Sequence, residues 1–258
     1  MRSVVFIFIA ITGLTPLHAA ELPKVLFFAN PAASDNNVIR RVKPNELSIA
    51  ERHFADMSHG LFDVTITQSG ADINSANLAR YQAVVFFTAV NPPGVDIDGL
   101  ITWVKDGGGF VGIHSTANSF LNKPAFAEML GANFDRRPWR SNQEPQTKVT
   151  VKVNDADHPA TRHLTDSELF TDDIYQFKDF DPTKTRLLLS LDPTQLDLSN
   201  PKVNRADKLF PISWAKPFGG GRVFYTALGD WEPTWKDPRY RTHLTQGISW
   251  TMKQSGDK

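Results

Sequence analysis

Two apolar runs in this sequence each lead to side chains that can take up or release a proton. His114 and Ser115 follow residues 110–113, and Asp230 comes just after residues 223–228. Short, continuous apolar runs are typical of strands buried on both faces of a parallel sheet, and ligands bind at the carboxyl ends of such strands. If the two strands are neighbours, an imidazole and a carboxylate meet there. We therefore predict an acid-base pair in which the Asp230 carboxylate orients the His114 ring and raises its pKa.

Other polar segments carry groups that suit a sugar ligand. Asp173 and Tyr175 supply a carboxylate and a phenol that could hold hydroxyl groups, and Asp173 is also a candidate catalytic residue. Arg137 and Trp139 lie in a cluster of three arginines and one aromatic residue. Guanidinium groups bind carboxylates and indole faces stack on sugar rings, so this cluster could bind either ligand. Trp231 and Ser115, at the two strand ends, are further candidate substrate-binding residues.

Each of these groups also has a purely structural interpretation. His114 could hydrogen-bond a loop backbone, Asp230 could cap a helix, and the arginine cluster could be a solvated loop. His158 precedes a proline and is better explained as a turn residue that caps the following segment. The position of His114 at a strand end favours a functional role for that residue.

The composition excludes several classes of chemistry. Hydrophobic residues make up 41% and charged residues 22% of the chain, and the net charge is zero, so neither nucleic acid nor an anionic membrane is indicated as a partner. The 258 residues include no cysteine, which excludes disulfides, thiolate metal ligands and a cysteine nucleophile. The sequence also lacks the G-x-S-x-G elbow, a phosphate-binding loop and the H-E-x-x-H zinc motif.

The first twenty residues have the pattern of a secretory signal peptide. Arg2 supplies a positive start, residues 4–11 are continuously apolar, and small residues end the segment at Ala20. We expect cleavage to leave Glu21 near the mature terminus, with the protein periplasmic or secreted and no membrane span after removal of the signal. A buried first strand or a retained anchor is the alternative.

The periodicity of the remaining chain predicts an α/β fold in a single domain, residues 21–258. Strands are predicted at 25–29, 62–67, 83–90, 110–113, 148–153, 185–191, 212–215 and 222–228. The first four strands and two amphipathic helices follow the order strand-helix-strand-strand-helix-strand, which indicates a parallel sheet. Asn36 lies in a long loop at 30–45 and is a candidate binding residue, because long loops in compact domains are often functional.

Several segments, in order along the chain, resemble the ThuA-like (trehalose-utilisation) family. They are residues 107–115, 131–134, 157–161, 172–175, 221–229 and 237–238. The resemblance implies a fold similar to class I glutamine amidotransferases, a flavodoxin-like, mostly parallel sheet with helices on both faces and added antiparallel strands. The strand end that carries the amidotransferase cysteine carries His114 here, so amidotransferase chemistry is not implied.

The family resemblance implies a role in the breakdown of trehalose-type disaccharides and their 3-keto derivatives. We predict a carbohydrate-processing hydrolase or lyase that uses His/Asp acid-base chemistry on a small carbohydrate ligand. A non-catalytic carbohydrate-binding protein on the same fold is the alternative, and the oligomeric state is left open. Family members usually have histidines at the positions of Arg137 and Asp230 and in the loop that holds Asn36. Because imidazole is the commonest zinc ligand, their replacement here predicts that zinc binds weakly or not at all, and we expect no metal ion in the site. We also expect no other cofactor.

Overall fold

The computed structural model describes residues 21–31, 37–140 and 146–252 of the chain. The strands in these ranges are β1 (Lys24–Asn30), β2 (Asp63–Thr67), β3 (Ala83–Thr88), β4 (Gly109–Ile113), β5 (Asn133–Arg136), β6 (Thr147–Val153), β7 (Ser167–Asp172), β8 (Gln176–Lys178), β9 (Arg186–Leu191), β10 (Pro211–Phe218) and β11 (Gly221–Thr226). The α-helices are α1 (Ile49–Ser58), α2 (Ser75–Leu78), α3 (Ile97–Lys105), α4 (Pro124–Leu130), α5 (Glu232–Lys236) and α6 (Pro238–Thr251). Short 3-10 helices lie at Gly70–Asp72, His114–Asn118 and Pro193–Gln195. Asn36 and the predicted signal peptide fall outside the described residues.

Nine of these strands form one sheet in the order β2-β1-β3-β4-β11-β10-β9-β6-β7. The five strands from β2 to β11 are parallel, and the remaining four extend the sheet in antiparallel pairs. β5 and β8 form a separate antiparallel ribbon. The predicted α/β class, a parallel sheet with added antiparallel strands, is confirmed.

The centre of the sheet is apolar on both faces, as expected for parallel strands covered by helices. Every residue of β3 and β4 is buried. Between them lies α3, whose N-cap residue Asp96 accepts a hydrogen bond at Oδ1 from the Gly99 amide at 2.9 Å. Just after α3, Gly107 adopts a φ of 124°, a left-handed conformation that suits glycine. The chain can therefore reverse there and enter β4.

β4 and β11 are parallel neighbours, with Ile113 opposite Thr226. Gly112 permits their close packing, because a Cβ at that position would lie 3.0 Å from the side chains of both Tyr225 and Leu130. The polar segments that follow the two strands consequently leave the sheet at the same edge. This adjacency confirms the sequence prediction.

The structure differs from the sequence prediction in several strands. β5, β7 and β8 were not predicted, because short strands with polar residues give a weak periodic pattern. The strand predicted at 83–90 ends at Thr88, and Val90 already has a φ of 63°. β6 pairs with antiparallel neighbours on both sides, β9 and β7.

The longest helix in the described ranges is α6, with 14 residues. It packs against β11 at Gly247, where a Cβ would lie 2.6 Å from the Phe224 ring. No helix in the described part of the chain is both long enough and apolar enough to cross a membrane.

Candidate functional site

His114 occupies a constrained turn directly after β4. Its φ is 41°, and such a conformation costs a non-glycine residue about 1–3 kcal/mol unless its surroundings hold it in place. The Tyr225 hydroxyl donates to the His114 carbonyl at 2.6 Å, which holds the turn. The imidazole is fully buried, and its centroid lies 4.1 Å from that of the Tyr175 ring. The ring therefore has a fixed position at the carboxyl edge of the sheet.

The two nitrogens of the His114 ring face different groups. Nε2 lies 3.1 Å from the backbone carbonyl oxygen of Asp173. Because a carbonyl can only accept, this contact places the ring proton of the neutral imidazole on Nε2. Nδ1 is 3.4 Å from Oδ1 of Asp230 and makes no hydrogen bond within the described chain. The predicted convergence of His114 and Asp230 is confirmed, and the geometry leaves Nδ1 with a free lone pair.

The prediction that the pKa of His114 is raised above its ordinary value is wrong. Burial, the largest cause, lowers the pKa of His114 to about 4, and Arg137 and Arg140 also lower it. The Asp173 carboxylate acts in the opposite direction but does not outweigh burial. The imidazole is consequently neutral near pH 7 and can accept a proton at Nδ1.

Asp173 lies on the other side of the His114 ring, just after β7. Its Oδ2 is 3.9 Å from Nε2 of His114, 2.6 Å from Nε of Arg137 and 3.2 Å from Nη1 of Arg140. Burial raises the pKa of this carboxyl, although His114 and the two arginines favour its ionised form. Oδ1 of Asp173 is buried and has no hydrogen-bond partner within the described chain. One oxygen of Asp173 is thus neutralised by guanidinium groups and the other is available to a ligand.

Arg137 and Tyr175, both predicted to bind substrate, lie together beside Asp173. Nη2 of Arg137 donates to the Tyr175 hydroxyl at 2.8 Å, and the guanidinium carbon lies 4.8 Å from the Tyr175 ring centroid and 5.2 Å from that of Phe134. These stacking contacts are typical of arginine on aromatic rings and fix the guanidinium plane.

The other predicted binding residues are arranged less closely. Ser115 is buried, and its hydroxyl has no hydrogen-bond partner within the described chain. Trp231 is half-buried at the start of α5, directly after Asp230. Trp139 donates from Nε1 to the carbonyl of Asp197 at 3.2 Å and packs edge-to-face on Phe210, with 5.3 Å between the ring centroids. These contacts tie the Trp139 indole to the segment after β9 and do not involve His114.

Asp172, the neighbour of Asp173, is a residue whose role the sequence interpretation missed. Its carboxylate is fully buried and accepts from the amides of Asp173, Gly229 and Asp230 and from the Thr234 hydroxyl, at 2.8–3.0 Å. Burial raises the pKa of Asp172 to about 7, against the effect of these hydrogen bonds. In a strand, residues two apart share a face, so the position of Asp172 two residues after the apolar Phe170 could have indicated an inward side chain.

Three side chains of the site could also approach a metal ion. His114, Asp173 and Asp230 each offer a ligand atom, and these atoms lie within 4.8 Å of one another. The set contains one nitrogen, and the guanidiniums of Arg137 and Arg140 already contact Oδ2 of Asp173. A metal ion would have to compete with two fixed positive charges, so the prediction of no metal ion remains our expectation.

The fold and the sequence together define the class of protein. The chain matches the ThuA family, described as trehalose utilisation, over residues 25–251. It belongs to this family, as its sequence motifs predicted. No curated protein matches the chain.

Solved structures with the same fold include two other ThuA-like proteins. One, from Bacteroides uniformis, is 24% identical, with a TM-score of 0.73 over 95% of this chain and 97% of that one. Another, from Parabacteroides merdae, is 18% identical, with a TM-score of 0.66 over 92% of this chain and 91% of that one. A cytoplasmic protein from Salmonella typhimurium is 12% identical, with a TM-score of 0.59 over 88% of this chain and 99% of that one. These likenesses support the flavodoxin-like fold and, at such identities, nothing further.

Proposed function

We propose that this ThuA-family protein acts on a disaccharide or an oxidised (3-keto) glycoside, with His114 as the group that takes and returns a proton. The observation that carries the proposal is a set of buried polar atoms at one sheet edge that have no partner among the described residues: Nδ1 of His114, Oγ of Ser115 and Oδ1 of Asp173. Buried polar atoms are normally paired, so unpaired ones clustered around a neutral imidazole suit a ligand rich in hydroxyl groups. The family's link to trehalose utilisation favours a sugar as that ligand.

The neutral imidazole suits the role of a base in this reaction. His114 can accept a proton at Nδ1 while Nε2 keeps its hydrogen bond to the Asp173 carbonyl. The imidazolium formed then lies 3.4 Å from Asp230 and 3.9 Å from Asp173, and both carboxylates favour its positive charge. Proton transfer by a positioned side chain contributes roughly 10²–10⁴-fold to a rate. Asp230 accordingly supports the charge that forms on the ring.

On a 3-keto glycoside the same groups can carry out an elimination. His114 removes the proton from C2, which is acidic beside the carbonyl, and the electron pair moves onto the keto oxygen. The guanidiniums of Arg137 and Arg140 can stabilise that negative charge. When the pair returns, the bond from C1 to the glycosidic oxygen breaks, and His114 returns its proton to the leaving oxygen. Later addition of water to the unsaturated sugar makes the net reaction a hydrolysis.

The test is direct incubation of the purified protein with trehalose and with 3-keto-trehalose, followed by chromatography of the products. We expect product formation by the wild type and by His59→Gln, a control at an exposed histidine beside the end of α1. His114→Gln should form no product while its sugar affinity stays within a few-fold. Binding of these sugars without any turnover would instead select the non-catalytic carbohydrate-binding protein.

We also propose that the protein is exported and that residues 1–20 are removed in the process. The support is the pattern of the sequence, with a positive start, a short apolar run and a small-residue end.

A further inference from the structure

We propose that Asp172 is a positioning residue, whose carboxylate fixes the backbone that sets Asp173 and Asp230 against the two ring nitrogens of His114. Asp172 is the last residue of β7 and is fully buried. It acts through its neighbours, because its carboxylate accepts from three backbone amides and one threonine hydroxyl.

All the accepting capacity of the Asp172 carboxylate is used. Oδ1 accepts from the amide of Asp173 at 2.8 Å and from the amide of Asp230 at 3.0 Å. Oδ2 accepts from the amide of Gly229 and from the Thr234 hydroxyl, both at 2.8 Å. An ionised carboxylate has about four acceptor sites, so each site is filled. One side chain thereby joins the end of β7 to the loop after β11 and to α5.

The loop after β11 depends on this anchor for its path. Gly229 has a φ of 122°, and a Cβ there would lie 2.7 Å from the Tyr240 hydroxyl and 2.9 Å from Ile113. Its amide is held by Asp172, and its carbonyl accepts from Nε1 of Trp235 at 2.8 Å. With Gly229 fixed at both ends, the next residue is delivered to a defined place. That residue is Asp230, 3.4 Å from Nδ1 of His114.

The other ring nitrogen depends on the same anchor. The Asp173 amide donates to Asp172, and the Asp173 carbonyl lies 3.1 Å from Nε2 of His114. The contacts of both nitrogens are therefore made by residues whose amides Asp172 holds. Loss of its carboxylate should alter the surroundings of the whole imidazole.

The decisive variant is Asp172→Asn, measured without any substrate. The amide keeps one accepting oxygen but places an NH₂ group opposite two of the four donors, so at least two hydrogen bonds are lost. The probe is the ¹⁵N spectrum of the His114 ring nitrogens, assigned by their disappearance in His114→Gln. We expect Asp172→Asn to shift both resonances.

Glu51→Gln provides a matched control on α1. Glu51 is equally buried, and its carboxylate accepts from the Ser48 amide at 2.7 Å and from Arg41 at 2.8 Å. Its loss should lower stability and leave the His114 resonances as in the wild type. Wild-type resonances in folded Asp172→Asn would overturn the proposal, as would equal shifts in both variants.

If Asp172→Asn does not fold, Thr234→Val decides, because it removes one of the four donors. Smaller shifts of the same resonances support the proposal and unchanged resonances overturn it.

A second measurement rests on the proposed function. Because misplacement of a catalytic group by about 1 Å can cost roughly 100-fold, kcat on a confirmed sugar substrate should fall by about that factor in Asp172→Asn, with KM within a few-fold. In an Asp230→Asn background the same change should add little, since both act on one arrangement. Fully additive losses would refute action through Asp230. If the wild type turns over no sugar, the proposed function fails, while the ring-nitrogen comparison still decides the role of Asp172.

Discussion

Replacement of His114 by glutamine should make the protein less sensitive to mild acid. In the folded chain burial lowers the pKa of His114 to about 4, whereas an unfolded histidine has a pKa of about 6.5. Between these two values the unfolded chain binds the proton and the folded chain does not. The free energy of unfolding is therefore unaffected by this group above about pH 6.5 and falls as the pH drops towards 4.

The size of the effect follows from the two pKa values. At about pH 5, some 1.5 units below the unfolded value, the penalty from His114 is about 2 kcal/mol, at 1.36 kcal/mol per unit. Glutamine has no titrating group, so His114→Gln escapes this penalty. When the pH is lowered from about 7.5 to about 5, the free energy of unfolding of the variant should therefore rise by about 2 kcal/mol relative to that of the wild type. His158 and His243 also have pKa values lowered by burial, but their contributions are the same in both proteins and cancel.

Urea unfolding at the two pH values, followed by fluorescence or circular dichroism, gives the required difference. His59→Gln is the control, because its side chain is exposed and its replacement should leave the pH dependence as in the wild type. The result that refutes the reasoning is a parallel loss of stability in His114→Gln and the wild type. The imidazole would then titrate similarly in both states, and the neutral base of the proposed mechanism would have no support.

Three further expectations concern the same chain. Asp230→Asn should lower turnover and move the acid limb of the pH-rate profile to lower pH. The reason is that loss of a carboxylate 3.4 Å from Nδ1 lowers the pKa of His114 further. An unchanged profile would contradict this expectation. Extensively dialysed protein should contain no stoichiometric zinc by elemental analysis, because two guanidiniums already contact Oδ2 of Asp173, the carboxylate oxygen that faces the imidazole. N-terminal sequencing of the exported protein should begin near Glu21, and a mature chain starting at Arg2 would show that the signal-peptide assignment is wrong.

The sequence predicts the parallel half of the fold better than the rest. β3, β4 and β11 are continuous apolar runs whose burial has one simple explanation, and their ends correctly locate His114 and Asp230. β7 alternates weakly and was not predicted, so the inward position of Asp172 at its end was missed, and its contacts with the loop after β11 join segments distant in sequence. The sign of the His114 pKa shift was also missed. It depends on how completely Tyr175 and its neighbours enclose the ring, which is a property of packing between segments distant in sequence.

The polar atoms at the sheet edge give a final reason to expect a ligand there. Asp172 and Glu51 show that this fold can pair both oxygens of a buried carboxylate, since each accepts hydrogen bonds from a backbone amide and from a neighbouring side chain. Around the imidazole the opposite holds within the described chain: His114, Ser115 and Asp173 each bury an unpaired polar atom. Each such atom costs about 1–3 kcal/mol, and a ligand that supplies hydroxyl groups removes that cost.

A sugar at about 100 times its Kd should stabilise the wild type by about 2.7 kcal/mol. Because His114→Gln should keep its affinity within a few-fold, it should show a thermal shift nearly as large. No thermal shift at that sugar concentration would contradict the expectation that the folded protein binds the sugar.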